Sequence, residues 1–333
     1  MYAVHNLVSD GSIPAAHVDP NLVNAWGIAA GPTSPWWVAN NGTDTSTLYD
    51  ANGVPQFQPT PLVVKVETAP TGVVFNGSSG FVVSDGQGHS GPARFMFATE
   101  TGKIRGWNPN VPPPSLSTHA MVAVNRSSLG AVYKGLAIDP TSAQIYATDF
   151  HNGRVDVFNS SFQLVHPSGG FVDPNLPAGY GPFGIQNIGG NIFVTYAKQD
   201  ADRMDDVPGL GFGVVDEYTT DGTLITRVAT GGELNAPWGL ALAPSNFGQF
   251  SGDLLIGNFG DGKIHAFKPQ LNGSFTQVGV LAGTNGKPIV IDGLWGIGFG
   301  NGATAGPTNA LYFASGPDDE MHGLYGRIDL ATS

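Results

Sequence analysis

The chain has 333 residues, of which 12% are charged and 41% are hydrophobic, and it contains 48 Gly and 25 Pro. This composition is rich in turns but still supplies enough apolar side chains for a core, which argues against a disordered protein. The 26 acidic and 14 basic side chains give a formal net charge of −12. Such a surface repels phosphate, so nucleic acid is not an expected partner. Cysteine is absent, which excludes disulfides and thiol nucleophiles.

Hydropathy and composition bear on where the protein works. No apolar run reaches the roughly 18 residues that a membrane-spanning helix needs, so no membrane span is expected. The first residues lack the basic-then-apolar pattern of a signal peptide. The low Lys content and the high Gly, Ser, Thr and Asn content are typical of exported bacterial proteins. We therefore expect a secreted or periplasmic protein whose signal peptide has been removed.

An internal repeat runs along the whole chain. A glycine-centred phrase occurs six times, for example as NAWGIAA from Asn24, VYKGLAI from Val132 and APWGLAL from Ala236. The central glycines are Gly27, Gly72, Gly135, Gly184, Gly239 and Gly296. Successive glycines are 45 to 63 residues apart, which indicates one repeating unit with insertions.

Short β-rich runs follow each glycine phrase and are separated by Gly, Asn and Asp turns. QIYATDF from Gln144 is typical of a second strand, and GRVDVF from Gly153 is typical of a third. Because no segment keeps a helical period, six such units predict an all-β fold. We predict one six-bladed β-propeller domain over residues 1–333, with four-stranded antiparallel blades around a central channel. The inner strands would begin near the six glycines, where crowding at the axis excludes larger side chains.

The repeat also resembles known families. YKGLAID from Tyr133, followed by QIYATDFHNGRVDVF, resembles the NHL repeat and the six-bladed superfamily that includes the gluconolactonases. NAWGIA, PFGIQNIGG, NAPWGLAL and LWGIGFGNG are similar to an uncharacterised group of secreted bacterial propeller proteins often associated with PEP-CTERM sorting tags. This likeness covers nearly the whole chain and implies the fold and export. Propellers of this size are usually monomers, so a monomer is expected.

Propeller geometry brings the residues just before the six glycines to one face. These residues are Trp26, Thr71, Lys134, Phe183, Trp238 and Trp295. In gluconolactonases several of these places hold calcium-binding Asn or Asp, whereas aromatic rings cannot bind calcium, so a lactonase of that type is disfavoured. We predict that Trp26, Thr71, Phe183, Trp238 and Trp295 bind substrate, because aromatic faces stack on sugar rings, flat ligands or cations. The alternative is that these rings plug the channel.

The turns between second and third strands are expected on the same face. GFVVSDG from Gly80 resembles the second strand of blade two, which would place His89 in that turn. His89, His151, His322 and Asp318 are the predicted metal ligands, a set that suits Zn or Cu and resembles the zinc site of peptide-amidating lyases. The acidic segment GPDDEMHG from Gly316 also suits Ca²⁺. The alternative is that these are solvated turns.

The residues together favour an enzyme. Lys134, His151, His322 and Glu320 are the predicted catalytic residues, because titratable groups converge on one concave face. We expect an exported lyase or hydrolase, with or without a divalent metal (Zn, Cu or Ca), acting on a small organic substrate in an aromatic-lined funnel. No phosphate-binding loop occurs, so no nucleotide cofactor is expected. The alternative is a non-catalytic propeller that recognises a glycan or a protein partner through the same face.

Overall fold

The strands of this computed structural model confirm the all-β prediction. It describes residues 1–331, which contain 27 β-strands and no α-helix. Three short 3-10 helices cover Asn41–Thr43, Ser127–Leu129 and Gly248–Phe250. No helix in this part of the chain has the length and apolar character needed to cross a membrane.

The first strands and the first three blades follow one another along the chain. Two N-terminal strands, β1 (Tyr2–Ser9) and β2 (His17–Val18), precede blade one. Blade one contains β3 (Ala25–Ala29), β4 (Trp36–Asn40), β5 (Thr45–Tyr49) and β6 (Val63–Lys65). Blade two contains β7 (Pro70–Phe75), β10 (Phe95–Thr99), β11 (Lys103–Trp107) and β12 (Met121–Asn125), with a separate hairpin of β8 (Val82–Ser84) and β9 (Ser90–Pro92). Blade three contains β13 (Tyr133–Ile138), β14 (Gln144–Asp149), β15 (Arg154–Asn159) and β16 (Leu164–Val165).

Three further blades complete the ring. Blade four contains β17 (Tyr180–Ile188), β18 (Asn191–Lys198), β19 (Val214–Tyr218) and β20 (Leu224–Thr230). Blade five contains β21 (Pro237–Leu242), β22 (Leu254–Asn258), β23 (Ile264–Pro269) and β24 (Phe275–Val280). Blade six contains β25 (Leu294–Phe299), β26 (Leu311–Ser315) and β27 (Leu324–Leu330). Within each blade the strands are antiparallel, as predicted.

The N-terminal strand closes the ring. Strand β1 pairs antiparallel with β27 and so supplies the outer strand of blade six. The Tyr2 hydroxyl also donates a hydrogen bond of 2.8 Å to the carbonyl oxygen of Phe247 in blade five. Without β1, strand β27 would have an unpaired edge. The pairing of β1 with β27 protects this edge and joins the start of the chain to the last blade.

The six repeated glycines form a closed ring of contacts around the axis. In five of the six, an added Cβ would overlap the carbonyl oxygen of the residue just before the next blade's glycine, such as Thr71 for Gly27 and Trp26 for Gly296. The Cβ of Gly72 would instead overlap the backbone nitrogen of Leu136. The predicted steric reason for glycine at the axis is therefore confirmed, and it requires no functional role.

The hydrophobic core lies between neighbouring blades rather than within one of them. One cluster joins Leu255 and Ile264 of blade five to Leu311 and Phe313 of blade six. Equivalent clusters fill the other gaps around the ring. Each blade thus buries both of its faces, which is why short strands suffice for a stable ring.

The two ends of the channel differ, and we call them the upper and lower faces. Inner strands β3, β7, β13, β17, β21 and β25 begin at the upper face and end at the lower face. In blade two, the start of β10 pairs with the end of β7, Phe95 opposite Phe75. The hairpin β8–β9 joins these strands, so it projects from the lower face. The assignment of the Gly80 segment to the second strand of blade two is therefore wrong, because Phe95–Thr99 occupies that place.

Candidate acid-base site at the upper face

Lys134 lies at the centre of the upper face. It is the second residue of β13, immediately before Gly135, and the residue is 1% exposed. The ammonium forms an ion pair with Glu100 and a second one, of 2.9 Å, with Oδ1 of Asp205. It also lies 5.1 Å from the ring centroid of Trp26. Burial by itself lowers the pKa of Lys134, but the two carboxylates outweigh it and raise the pKa above its ordinary value.

A chain of hydrogen bonds positions Glu100. Its second carboxylate oxygen accepts a 2.9 Å bond from the Asn41 amide, whose oxygen accepts from Asn24. The Asn24 oxygen in turn accepts from the indole nitrogens of Trp26 (2.9 Å) and Trp295 (3.3 Å). The channel aromatics, two asparagines and the lysine's counter-ion are therefore one connected network.

The insertion between β18 and β19 brings two aspartates over Lys134. The Asp205 side chain is 70% exposed, whereas Asp206 beside it is half-buried. Burial raises the pKa of Asp206 to about 7, although the nearby Lys134 charge opposes the shift. Among residues 1–331, the Asp206 Oδ2 atom is buried without a hydrogen-bond partner. A carboxyl group with a raised pKa and a buried, unpartnered oxygen is suited to act as a general acid or base.

Glu320 reaches the same cluster from blade six. Its Oε1 atom is also buried with no hydrogen-bond partner in the described chain. Burial and the charge of Glu100 raise its pKa, with Lys134 opposing. The backbone at Asp318, Asp319 and Glu320 is left-handed, with φ of 57°, 49° and 65°. Consecutive left-handed residues are strained, and such strain persists mainly where it positions a functional group. We call Lys134, Glu100, Asp205, Asp206 and Glu320 the Lys134 cluster.

The predicted substrate-binding aromatics lie directly below this cluster. Trp26 stacks on Trp295 with ring centroids 3.5 Å apart, and Phe183 contacts Trp295 edge-on at 5.6 Å. These three side chains and Thr71 are at most 2% exposed, and Thr71 donates to the Tyr133 carbonyl. Trp238 is half-buried, and its indole nitrogen donates to the Lys134 carbonyl oxygen. The rings fill the channel in the manner of the plug alternative, and a substrate-binding role for them stays a prediction.

The structure does not bring the predicted metal ligands together. His89 is on the lower-face hairpin, where its Nδ1 lies 2.6 Å from Asp85 Oδ2. His151 lies in the blade-three turn, and His322 pairs with Asp10 at 2.7 Å, with Asp318 3.8 Å away. Because His89 is at the opposite end of its blade, it cannot share an ion with the other two. Within residues 1–331, no three His, Asp or Glu side chains are arranged to hold a metal ion. A metal cofactor therefore has no ligand set in this conformation and stays a prediction.

Sequence reasoning identified Lys134 and Glu320 but missed Glu100. Glu100 was missed because the second strand of blade two had been assigned to the wrong segment. Glu100 directly follows the observed second strand, Phe95–Thr99. A signal was present, because GKIRGW from Gly102 resembles GRVDVF from Gly153 and GKIHAF from Gly262. Asp206 carried no such signal, because its burial depends on how the insertion folds back over Lys134.

The arrangement combines one fixed cation with carboxyl groups of two kinds. Lys134 forms ion pairs with Glu100 and Asp205. Asp206 and Glu320 have raised pKa values and each present an unpartnered oxygen. Groups with separated pKa values in one cluster can supply both a proton donor and a proton acceptor near neutral pH.

Solved structures with similar architecture confirm the fold. The virginiamycin B lyase of Staphylococcus aureus is 12% identical, covers 99% of this chain and 100% of its own, and gives a TM-score of 0.54. A glucose dehydrogenase is 14% identical over 99% of this chain and 100% of its own, with a TM-score of 0.57. A chain of a nidogen/laminin complex is 15% identical, with a TM-score of 0.51. The match covers 94% of this chain and 99% of that chain. At these identities the likeness establishes a six-bladed propeller of this general type and no particular activity.

Sequence comparison finds viral relatives of the chain. No protein-family model matches it. Uncharacterized protein R648 of Acanthamoeba polyphaga mimivirus is 33% identical over 336 residues, 98% of this chain and 80% of that protein. Uncharacterized protein L690 of the same virus is 32% identical over 344 residues, which cover 98% of this chain and 85% of that protein. These relatives do not support the resemblance to PEP-CTERM-associated bacterial proteins. The chain belongs to the family of the mimivirus uncharacterized proteins R648 and L690.

Proposed function

We propose that this protein is an enzyme, a lyase or a hydrolase, that moves protons to and from a small organic substrate held against the Lys134 cluster. One observation carries the proposal. Asp206 and Glu320 each have a buried carboxyl oxygen without a hydrogen-bond partner within residues 1–331, next to a buried lysine that is itself fully paired. Buried polar atoms are normally satisfied, and in this proposal a bound substrate completes these two oxygens.

Each residue has a separate role in this proposal. Asp206, with a pKa of about 7, is the main proton carrier, because it is present in both protonation states at neutral pH. Glu320 is the second acid-base group. Lys134 is a positioning residue, since its 1% exposure leaves no room for direct attack on a substrate. Its charge holds Glu100 and Asp205 in place as the polar walls of the site.

The charge of the cluster limits the substrate. Four carboxyl groups surround one ammonium, so the site has a net negative charge even when Asp206 and Glu320 are protonated in part. An anionic substrate would add a further like charge at short range, which is unfavourable. We therefore propose a neutral or cationic substrate. The half-buried Trp238, whose indole nitrogen donates to the Lys134 carbonyl oxygen, supplies an aromatic ring near the cluster. An aromatic ring face favours a substrate with a ring or a cationic group.

A substrate screen tests the proposal. The purified chain would be incubated with neutral and cationic esters, lactones and cyclic ester peptides, including virginiamycin B because a propeller lyase with that name shares the fold. Mass spectrometry distinguishes the reaction types, since hydrolysis adds one water to the product and elimination does not. Turnover by the wild type should fall about 100-fold or more in Asp206→Asn and in Glu320→Gln, the usual effect of losing an acid-base group.

Asp202→Asn is the matched control, because Asp202 is exposed on the same insertion. It should keep wild-type turnover. The proposal fails if folded Asp206→Asn and Glu320→Gln both retain full activity. It fails equally if Asp206 titrates in the ordinary Asp range when its carboxyl carbon is followed by NMR, since the proposed carrier would then lack its proton near neutral pH.

A binding propeller is the second candidate, and the closed channel favours it. The stacked Trp26 and Trp295 rings fill the channel and Lys134 is ion-paired, features that a non-catalytic scaffold would also have. In that case a glycan or a protein partner would contact the rim of the upper face. Asp205→Lys changes the charge of the exposed rim. A pull-down that compares this variant with the wild type distinguishes the binding propeller from the enzyme. Binding lost with no turnover of any substrate supports the second candidate.

Export and a monomeric state belong to the same proposal and are checked separately. Fractionation of cells that express the natural gene locates the protein, and light scattering on the purified chain gives its mass. A cytoplasmic location would remove export from the proposal without affecting the acid-base site.

A further inference from the structure

A cavity lies at the lower end of the channel. It has a volume of about 540 Å³ and is formed where the inner strands of five blades end. This volume lies within the range of small-molecule sites in proteins. A second space of only about 30 Å³ lies above it along the channel and shares Ile28, Val73, Gln186 and Ile297 with it. The narrow part holds about one water molecule, so a ligand at the lower face would not reach the Lys134 cluster.

Two aromatic rings give this cavity preformed walls. Phe75 at the end of β7 and Phe299 at the end of β25 are both half-buried and line it. Each ring is supported from behind by another ring, Phe75 by Phe95 at 5.4 Å and Phe299 by Phe247 at 5.0 Å. Ile138 adds a third, half-buried apolar surface. Rings fixed in this way bind an apolar ligand without much loss of side-chain entropy.

Most polar groups of the cavity are already used by the fold. The Asn187 amide donates to the Ile138 carbonyl at 2.9 Å and accepts from the Gly190 backbone. The Asp139 carboxylate accepts from the backbone nitrogens of Ala143 and Gln144. Gln186 differs, because it is exposed and its amide is available to a ligand. None of the residues that line the cavity in the described chain is basic, so an anion would have no partner there.

We propose that this lower-face cavity is a binding site for an uncharged small molecule that contains aromatic or aliphatic rings, with the Gln186 amide as a polar contact. The rings of the ligand lie between Phe75 and Phe299, and one hydrogen-bonding group faces Gln186. The site is independent of the acid-base site, because the stacked Trp26 and Trp295 rings separate the two. It gives the protein two faces with different sites: one built from charged side chains above the aromatic plug, and one without basic side chains below it.

A pair of fluorescent probes that differ by one charge tests this site. N-phenylnaphthylamine is uncharged and anilinonaphthalene sulfonate is its anionic counterpart, and both become fluorescent in apolar surroundings. The neutral probe should bind saturably with one site per chain. The sulfonate should bind at least about tenfold more weakly, which corresponds to about 1.4 kcal/mol. Gln186→Arg places a long charged side chain in the cavity and should weaken the neutral probe by at least about tenfold.

Two further variants complete the test. Gln270→Arg makes the same change at an exposed residue outside the cavity and should bind like the wild type. Phe299→Leu keeps most of the volume, removes one aromatic wall and should weaken binding by a smaller factor. The proposal is overturned if no saturable binding occurs, or if Gln186→Arg binds the neutral probe as tightly as Gln270→Arg. Loss of probe binding in Asp206→Asn instead would place the probe at the upper face, which also overturns this inference while leaving the acid-base proposal intact.

Discussion

The Nζ atom of Lys134 lies 2.9 Å from Oδ1 of Asp205, a residue 71 positions further along the chain. Lys134 is the second residue of the inner strand of blade three, whereas Asp205 belongs to the insertion of blade four. The same ammonium contacts Glu100 in the second-to-third-strand turn of blade two. One buried cation therefore links three blades, and both the stability of the upper face and the geometry of the proposed site depend on it.

Replacement of this lysine should be strongly destabilising. In Lys134→Met, Glu100 and Glu320 lose their counter-charge while remaining partly buried, so the free energy of unfolding should fall by about 3 kcal/mol at neutral pH. Urea denaturation measures this change. The matched control is Lys65→Met, at an exposed residue, which should change stability by less than about 0.5 kcal/mol. Equal stability of the two variants would show that the ion pairs contribute nothing net.

Asp206 should make stability depend on pH. Its pKa of about 7 in the folded protein exceeds that of the unfolded chain, so the folded state holds this proton more tightly. The resulting stabilisation is present at low pH and is lost as pH rises from about 4 to about 7, by up to about 1.4 kcal/mol per pH unit. Asp206→Asn removes this contribution. Its stability relative to the wild type should therefore increase between about pH 4 and pH 7 and level off above that, and Asp202→Asn should show no such trend.

The glycine ring should tolerate no side chain. A Cβ on Gly184 would overlap the carbonyl oxygen of Trp238 in the next blade. Because both atoms belong to packed inner strands, neither can move far, and Gly184→Ala should cost about 2 kcal/mol or more. Gly77→Ala is the control, since its nearest neighbour would be 3.4 Å away. Thermal unfolding followed by circular dichroism compares them, and similar melting temperatures would refute the steric explanation.

Ring closure by β1 should depend on its buried side chains. Val8 is 0% exposed in the core between blades six and one, whereas Val4 on the same strand is 41% exposed. Val8→Asp buries an unpaired charge and should destabilise the protein by more than about 3 kcal/mol. Val4→Asp should have a small effect. If both variants unfold at the same urea concentration, β1 is not essential to the closed ring.

The propeller could be predicted from sequence because its signals are local and repeated. Gly135, the strand Gln144–Asp149 and the turn before Arg154 each follow the preceding feature within a few residues, and the same order recurs in the other blades. The prediction failed where the local pattern was interrupted. The Gly80 segment has strand-like composition, but it forms part of an extra hairpin, and only the pairing of β7 with β10 reveals this.

The candidate site could be predicted only in part, for the same reason. Lys134 and Glu320 were identified because their places in the repeat put them on the upper face. The raised pKa of Asp206 and its unpartnered oxygen arise from burial under an insertion that has no counterpart in the other blades. The wrong strand in blade two also placed His89 on the upper face and concealed Glu100.

The amino-acid sequence by itself determined the all-β architecture, the number of blades and the glycines at the axis, because these depend on residues close together in the chain. Only the tertiary structure decided which side chains meet. Glu100, Lys134, Asp205 and Glu320 come from four blades, and their contacts depend on how the blades are arranged and on how the long insertion that carries Asp205 folds over the channel. Burial and the electrostatic effect of neighbouring charges, which set the pKa values in the cluster, are properties of that three-dimensional arrangement and of no single segment.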